Sequence, residues 1–358
     1  MATYYVDPSG GSDSNAGTSF GAAWATTQKA ADTAVTGDVV RLCKTATETI
    51  SAILDIDTNN GALNTRGIRF HSYSSDGSTK EAGYKIQASA AITAVIEFTN
   101  IDRTFWDGVI FDANDTATYV LYNHDGDGSE NNAFENCIFE KATSHGWFHR
   151  SNNWFISNCE IRDNGGNGLD HKSANRGGIW MWATKVHHNT GHGWALDRTG
   201  AQINNCMFYR NGGSGVKQDS NSGNARVTSS TFYGNTDDGW TILDASNRNP
   251  VAIMNSTFVS NGGYGLRSQD TDRQSEIASH NHHYQNTSGA TDVADSLGVD
   301  LITGDPSFTS TTDGSENFAP TASSALINAG PNGMTIGAVP LVSGGGGGGG
   351  GGMVGFGI

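Results

Sequence analysis

The side chains equipped for acid–base chemistry recur at one phase of a repeating pattern, just after a glycine turn: Asp170 and Lys172, Asp197 and Arg198, Lys217 and Asp219, then Arg267. A carboxylate beside a cation can move a proton and hold the charge that develops as it moves. In a stack of coils these pairs would project from neighbouring coils onto one outer face. The plainer reading is that mixed charges on an outward register solvate that face. Turn lengths between the pairs differ and no known catalytic motif matches residue by residue, so solvation is our first reading. Asp170, Lys172, Asp197, Arg198, Lys217 and Asp219 are the catalytic candidates under the second.

Other motifs carry less. GGNGLDHKS at 165–173 looks like a calcium-binding nonapeptide repeat, but it lacks the large apolar residue two places after the Asp, and the equivalent phrases GGSGVKQ and GGYGLRS lack the Asp. The histidines of HHNTGH and HNHH have spacings a metal could use. They fall on turns without an evident set of partner ligands, so they read as ordinary surface histidines and no metal site is expected. No nucleophile elbow, phosphate-binding glycine loop or paired-cysteine metal motif occurs, and no cofactor is expected.

What would position the charged pairs is the repeat itself. NCIFEKATSHGW, NCEIRDNGGNGL, ATKVHHNTGHGW, NCMFYRNGGSGV, SSTFYGNTDDGW and NSTFVSNGGYGL align on Phe139, Ile161, Val186, Phe208, Phe232 and Phe258, at intervals of 22, 25, 22, 24 and 26 residues. Asn164, Asn189, Asn211, Asn235, Asn261 and Asn286 follow in step. That period accommodates three short strands and three turns, and it lacks the leucine-dense consensus of a leucine-rich repeat. Side chains alternate within each phrase, as in strands with one buried face. The expected fold is all-β, a single-stranded right-handed parallel β-helix, with the turn asparagines left-handed and stacked in a ladder.

Parity assigns the faces. Cys137, Cys159, Thr184, Cys206, Ser230 and Ser256 stand two residues before the anchors and form a column of small inward residues rather than a redox or metal site. Trp147, Leu169, Trp194, Val216, Trp240 and Leu266 alternate large and smaller side chains just after the turn glycine, and are expected inside. Counting from Val186 puts Ile179 and Met181 inward and leaves Trp180 and Trp182 outside, with Phe155 on the same strip. Such a strip is either a subunit interface, for which a homotrimer is expected, or a carbohydrate surface.

The formal charge of −15, from 36 acidic and 21 basic residues, disfavours a phosphate backbone as partner, so nucleic acid is not expected. No apolar run is long enough to cross a bilayer, and no membrane partner is expected. Met1 to Pro8 has neither the basic start nor the apolar stretch of a signal peptide. Four cysteines in a long chain do not suggest a disulfide scaffold.

Strands are expected at VVRL (39–42), GIRF (67–70), AVIEF (94–98) and GVIF (108–111), with the rod starting near residue 35, regular coils over about 105–290 and a closing segment over 300–340. The opening YYVDPSGGSDSNAGTSFGAAWATTQKAADTAVTGDVVRL resembles the first coil of pectate-lyase-like parallel β-helix proteins, with Ala22 to Ala34 as a helix capping the core. SSALINAG and TIGAVP resemble the closing segment of the same superfamily. The resemblance implies the fold but not one function, because this fold hosts lyases, hydrolases, epimerases, phage tailspikes and inert adhesins.

Two functional readings follow. In the first, the chain is a bacteriophage virion protein, a tailspike-like rod assembled in the host cytoplasm, decorating head or tail beside other virion proteins and able to touch glycans. The missing export signal favours it, as does the end of the chain. There, nine glycines from Gly344 to Gly352 carry an apolar tip, Met353, Val354, Phe356 and Ile358, expected to dock on a neighbour. In the alternative, the chain is a polysaccharide lyase or glycoside hydrolase acting on an acidic polysaccharide. Calcium would be a cofactor only under that alternative.

Overall fold

The computed structural model describes residues 1–57, 67–99, 101–123, 129–151, 153–172, 178–197, 200–219, 224–243, 251–269, 276–291 and 302–338. Arg198 and the glycine tail with its apolar tip lie outside the described residues. Among these residues, three parallel sheets of 11, 10 and 10 strands run the length of a rod and are labelled A, B and C in the order in which the coil visits them. One coil visits each sheet once: Ala133–Glu135 in A, Ile138–Glu140 in B and Trp147–His149 in C, before Trp154–Ser157 returns to A. This is a parallel β-solenoid, as the repeat requires.

The register follows the sequence alignment. In sheet B, Phe139 pairs with Ile161, Ile161 with Val186, Val186 with Phe208, Phe208 with Phe232 and Phe232 with Phe258. All six side chains are fully buried. In sheet C, Trp147, Leu169, Trp194, Val216, Trp240 and Leu266 are likewise in register and buried. Equivalent residues overlie one another because adjacent coils are spaced by one inter-strand distance, about 4.8 Å.

Turn chemistry makes the corners. The asparagine ladder forms as expected, each Nδ2 donating to the next Oδ1: Asn164 to Asn189, Asn189 to Asn211, Asn211 to Asn235, Asn235 to Asn261 and Asn261 to Asn286, at 2.8–3.0 Å. The left-handed residue, however, is the one before each ladder asparagine: Asp163, His188, Arg210, Gly234, Ser260 and Gln285. Bending one residue earlier turns the asparagine side chain into the core, where it can reach both the next coil and a carbonyl of the preceding one, as Asn211 reaches Val186 O at 3.1 Å. The A-to-B corner repeats this device. Asn136, Asn158, Ala183, Asn205, Ser229 and Asn255 are left-handed, and each precedes a member of the small-residue column. That column is buried and the four cysteines are free, with Cys137 N–H donating to Cys159 Sγ at 3.4 Å.

The N-terminal end departs from the expected boundaries. Thr3–Val6 already pairs with Val39–Cys43 in sheet A, so the rod begins ahead of residue 35. The capping helix is shorter than Ala22 to Ala34, spanning Thr27–Thr33, because Thr26 caps it by accepting from Lys29 N–H at 3.1 Å. Thr27, Ala30 and Ala31 cover the core end. Thr27 N–H and Tyr84 Oη both donate to the buried carboxylate of Glu48, at 2.8 and 2.6 Å. At the other end, Phe308–Ser310 and Asn317–Pro320 form an antiparallel pair. It lies on the outside of sheet B, with Phe318 packed on Tyr209 and Tyr233.

Candidate functional site

The outward file of sheet C collects the charged pairs. Tyr122, Phe148, Asp170, Ala195, Lys217, Thr241 and Arg267 succeed one another across the ladder. In the file beside it Lys172 pairs with Asp197, and Asp219 N–H continues the ladder by donating to Leu196 O at 2.8 Å. Five of the six sequence candidates therefore surround one small residue, Ala195. Asp170 and Lys217 stand one strand on either side of it, so their Cα atoms are about 10 Å apart. A small side chain between longer flanking ones leaves a shallow floor there. Arg267 lies two steps beyond Lys217 and faces Asp238, its Nη1 being 3.9 Å from Oδ2.

One of these charges is withdrawn from solvent. Asp170 is buried, with its Oδ2 3.3 Å from His145 Nε2 and 3.6 Å from Lys172 Nζ. His145 belongs to a further ladder that sequence reasoning missed. The residue before each turn glycine caps the next coil: Asn167 N–H donates to His145 Nδ1, His192 N–H to Asn167 Oδ1 and Ser214 N–H to His192 Nδ1, all at 2.9 Å. The glycines of these turns admit the rings, since a Cβ on Gly213 would lie 2.4 Å from His192 Nδ1. The signal was available as the recurrent polar residue at 145, 167, 192, 214 and 238, always one place before a glycine.

This ladder fixes tautomers. Nδ1 of His145 and of His192 accepts a backbone proton, so in the neutral ring Nε2 carries the hydrogen. Burial holds both rings below the ordinary histidine range, and for His192 the neighbouring Lys217 ammonium acts in the same direction. Both rings are thus donors at Nε2 near neutral pH rather than bases. The carboxylate of Asp170 faces one such ring and one ammonium. A calcium ion needs six to eight oxygens and would have to displace them, so these residues do not form a calcium cage as they stand.

Next to Asp170 along the same file is an aromatic step. Tyr122 and Phe148 stack with centroids 5.4 Å apart and planes 9° apart, Tyr119 packs against both, and the Arg150 guanidinium lies 4.6 Å from the Phe148 centroid. The three rings are half-buried.

A second polar concavity, of about 380 Å³, lies where the closing hairpin meets sheet B. There His187 Nε2 is 2.6 Å from Glu160 Oε1, and His188 Nε2 is 2.7 Å from Asp313 Oδ1. The histidines expected on surface turns are here structural: His187, His282 and His283 are buried on strands. Burial is possible because each finds a polar or aromatic neighbour, as His187 does in Glu160 and in Tyr209, stacked on it at 4.4 Å. His188, Asp313 and Glu316 bring three potential ligand atoms within 4.8 Å of one another. Arg210 already faces both carboxylates, 2.9 Å from Glu316 and 3.8 Å from Asp313, so the cluster reads as an ionic clasp for the hairpin.

Residues 147–303 match the family model described as a right handed beta helix region. The fold is a right-handed parallel β-helix. No curated protein matches the chain. Among solved structures it is similar to pectate lyase Pel9A, at 20% identity and a TM-score of 0.70, covering 94% of this chain and 96% of that one. It is also similar to an alginate lyase from Paenibacillus sp. str. FPU-7, at 13% identity, TM-score 0.56 and coverage of 74% and 93%. The A-module of the Azotobacter vinelandii mannuronan C-5 epimerase AlgE4 is similar at 14% identity, TM-score 0.51 and coverage of 71% and 72%. At these identities the likeness is one of fold.

Proposed function

We propose that the β-helix acts on an acidic polysaccharide, as a lyase, on the outer face of sheet C. The observation that carries this reading is the floor at Ala195, bracketed by Asp170 and Lys217 and continued by the aromatic step of Phe148 and Tyr122. Lys172 and Arg267 put cations on this face in a chain whose formal charge is −15. Pectate, alginate and mannuronan, the polymers in the names of the three similar proteins, are acidic, which supports the substrate class. The first reading from sequence, a virion rod, draws no support from these likenesses.

The chemistry asks for two things. A uronate carboxylate must be neutralised so that the proton on the neighbouring ring carbon becomes removable, and a base must take that proton. Lys172 and the Nε2–H of His192 are the donors for the carboxylate. Lys217 is the base. The electron pair of the broken C–H bond becomes the new ring double bond. The bond to the glycosidic oxygen breaks with its pair on that oxygen, which takes a proton from solvent. Asp170 acts through its neighbours, holding His145 and Lys172 in place.

Incubation with polygalacturonate or alginate, followed by the absorbance of the unsaturated uronide, tests this. Turnover should fall at least 100-fold in Lys217→Ala. No turnover of either polymer by the wild type, or full turnover by the variant, overturns the reading.

A further inference from the structure

The exposed aromatic strip of sheet A lies on a different face from Ala195. Phe155 pairs with Trp180, Trp180 with Gln202 and Gln202 with Arg226, and all four side chains point out and are exposed. Phe155 and Trp180 stack with centroids 4.8 Å apart and planes 11° apart, and Trp182 stands beside them, 53% exposed. The inward neighbours Ile179 and Met181 are buried, so parity fixes these rings outside and no repacking within the strand can hide them.

Two features say what covers the strip. First, the five strands from Trp154–Ser157 to Val251–Met254 contain no carboxylate and one arginine, in a chain with 36 acidic residues. A zone cleared of negative charge on an acidic rod lowers the repulsion of an anionic ligand, and Arg226 attracts it. Second, the apolar area is small. The three rings, at 36%, 37% and 53% exposure, offer on the order of 300 Å². A stable contact between copies of the chain buries about 800 Å² on each partner, somewhat more than half of it apolar, so the strip alone falls short. Flat rings in line, followed by an amide and a guanidinium over about 14 Å, suit the apolar faces, hydroxyls and carboxylates of a short run of sugars.

We propose that Phe155, Trp180, Trp182, Gln202 and Arg226 form a binding face for an acidic polysaccharide chain, separate from the reaction site on sheet C. It holds polymer alongside the rod and requires no turnover.

Native gel electrophoresis through gels containing polygalacturonate, alginate or neutral xylan tests this, with Lys217→Ala as the parent so that the polymer stays intact. The parent should be retarded by an acidic polymer and not by xylan. Trp180→Ala and Arg226→Gln should each weaken that retardation at least fivefold while leaving the melting temperature unchanged. Placed in the wild-type background, Trp180→Ala should turn over short oligosaccharides at the wild-type rate, which separates this face from the sheet C proposal. Of the eight tryptophans only Trp180 and Trp182 are exposed, so polymer should also shield the fluorescence from acrylamide quenching. Absence of retardation in both acidic gels, equal retardation in xylan, or unchanged retardation in Trp180→Ala overturns the proposal. Self-association by light scattering that Trp180→Ala abolishes would instead make the strip a contact between copies.

Discussion

The Nδ2 of Asn189 donates to Oδ1 of Asn211 at 3.0 Å across one coil, while Asn189 N–H reaches the same oxygen at 3.3 Å. A single amide oxygen therefore serves a side chain and a backbone, and Asn211 passes the arrangement on to Asn235 at 3.0 Å. Asn211→Ala strands a buried N–H, a buried amide and the Val186 carbonyl, so it should cost about 3 kcal/mol in denaturant unfolding. Asn286, half-buried at the end of the ladder, should cost only about 1 kcal/mol when replaced by Ala. Equal losses at the two positions would show that the ladder's interior contributes nothing beyond a surface hydrogen bond.

The aromatic step of sheet C should bind rather than react. Phe148 stacks on Tyr122 and touches no group assigned to proton transfer. Phe148→Ala should raise KM for the acidic polymer by about tenfold, losing on the order of 1.4 kcal/mol of stacking, with kcat within about threefold of wild type. A fall in kcat at unchanged KM would move the ring into the chemistry.

The rod should be acid-labile in a window set by its histidines. Burial pushes His171 and His283 down to about 3, so both are neutral in the fold and ordinary when unfolded. The unfolded chain then binds more protons from about pH 6.5 downward. This stability is complete above about pH 6.5 and is lost at about 1.4 kcal/mol per pH unit for each ring as the pH falls toward 3. Glu160, held at about 2 despite its burial because His187 and Arg162 face it, adds to the loss only at lower pH, below the usual carboxylate range. Melting temperatures between pH 7 and 4.5 should fall accordingly, and His171→Phe should flatten the slope. An unchanged slope in that variant would count against a buried neutral His171.

The cysteines should be silent in the native state. Burial raises all the thiols whose shift is resolved, Cys43 and Cys206 to about 12 and Cys137 well above the ordinary thiol range, and none of the four is exposed. A chromogenic disulfide reagent at pH 8 should titrate no thiol in buffer and four in denaturant. Rapid native reaction of even one would contradict the packed column.

The sequence by itself determined the coil. The spacing of Phe139, Ile161, Val186, Phe208, Phe232 and Phe258 sets the stacking register, because a solenoid repeats its environment every coil and pattern translates directly into position. The outward parity of Trp180 and Trp182 and the inward column from Trp147 to Leu266 follow from the same counting, since strand parity is a local property. What neighbours do for one another was decided only in three dimensions. The bend falls on Asp163 or Arg210 rather than on the ladder asparagine because the asparagine side chain must turn inward to reach the next coil. His187 is buried because Glu160, one coil away, offers it a carboxylate and the closing hairpin covers the region around it. Asp170 and Lys217 come to stand two strands apart on one outward file, with the small residue Ala195 between them, because parallel pairing of successive coils aligns them. Each of these depends on contacts between residues more than twenty positions apart, where a repeat fixes the geometry but leaves the chemistry of each pair to be settled by packing.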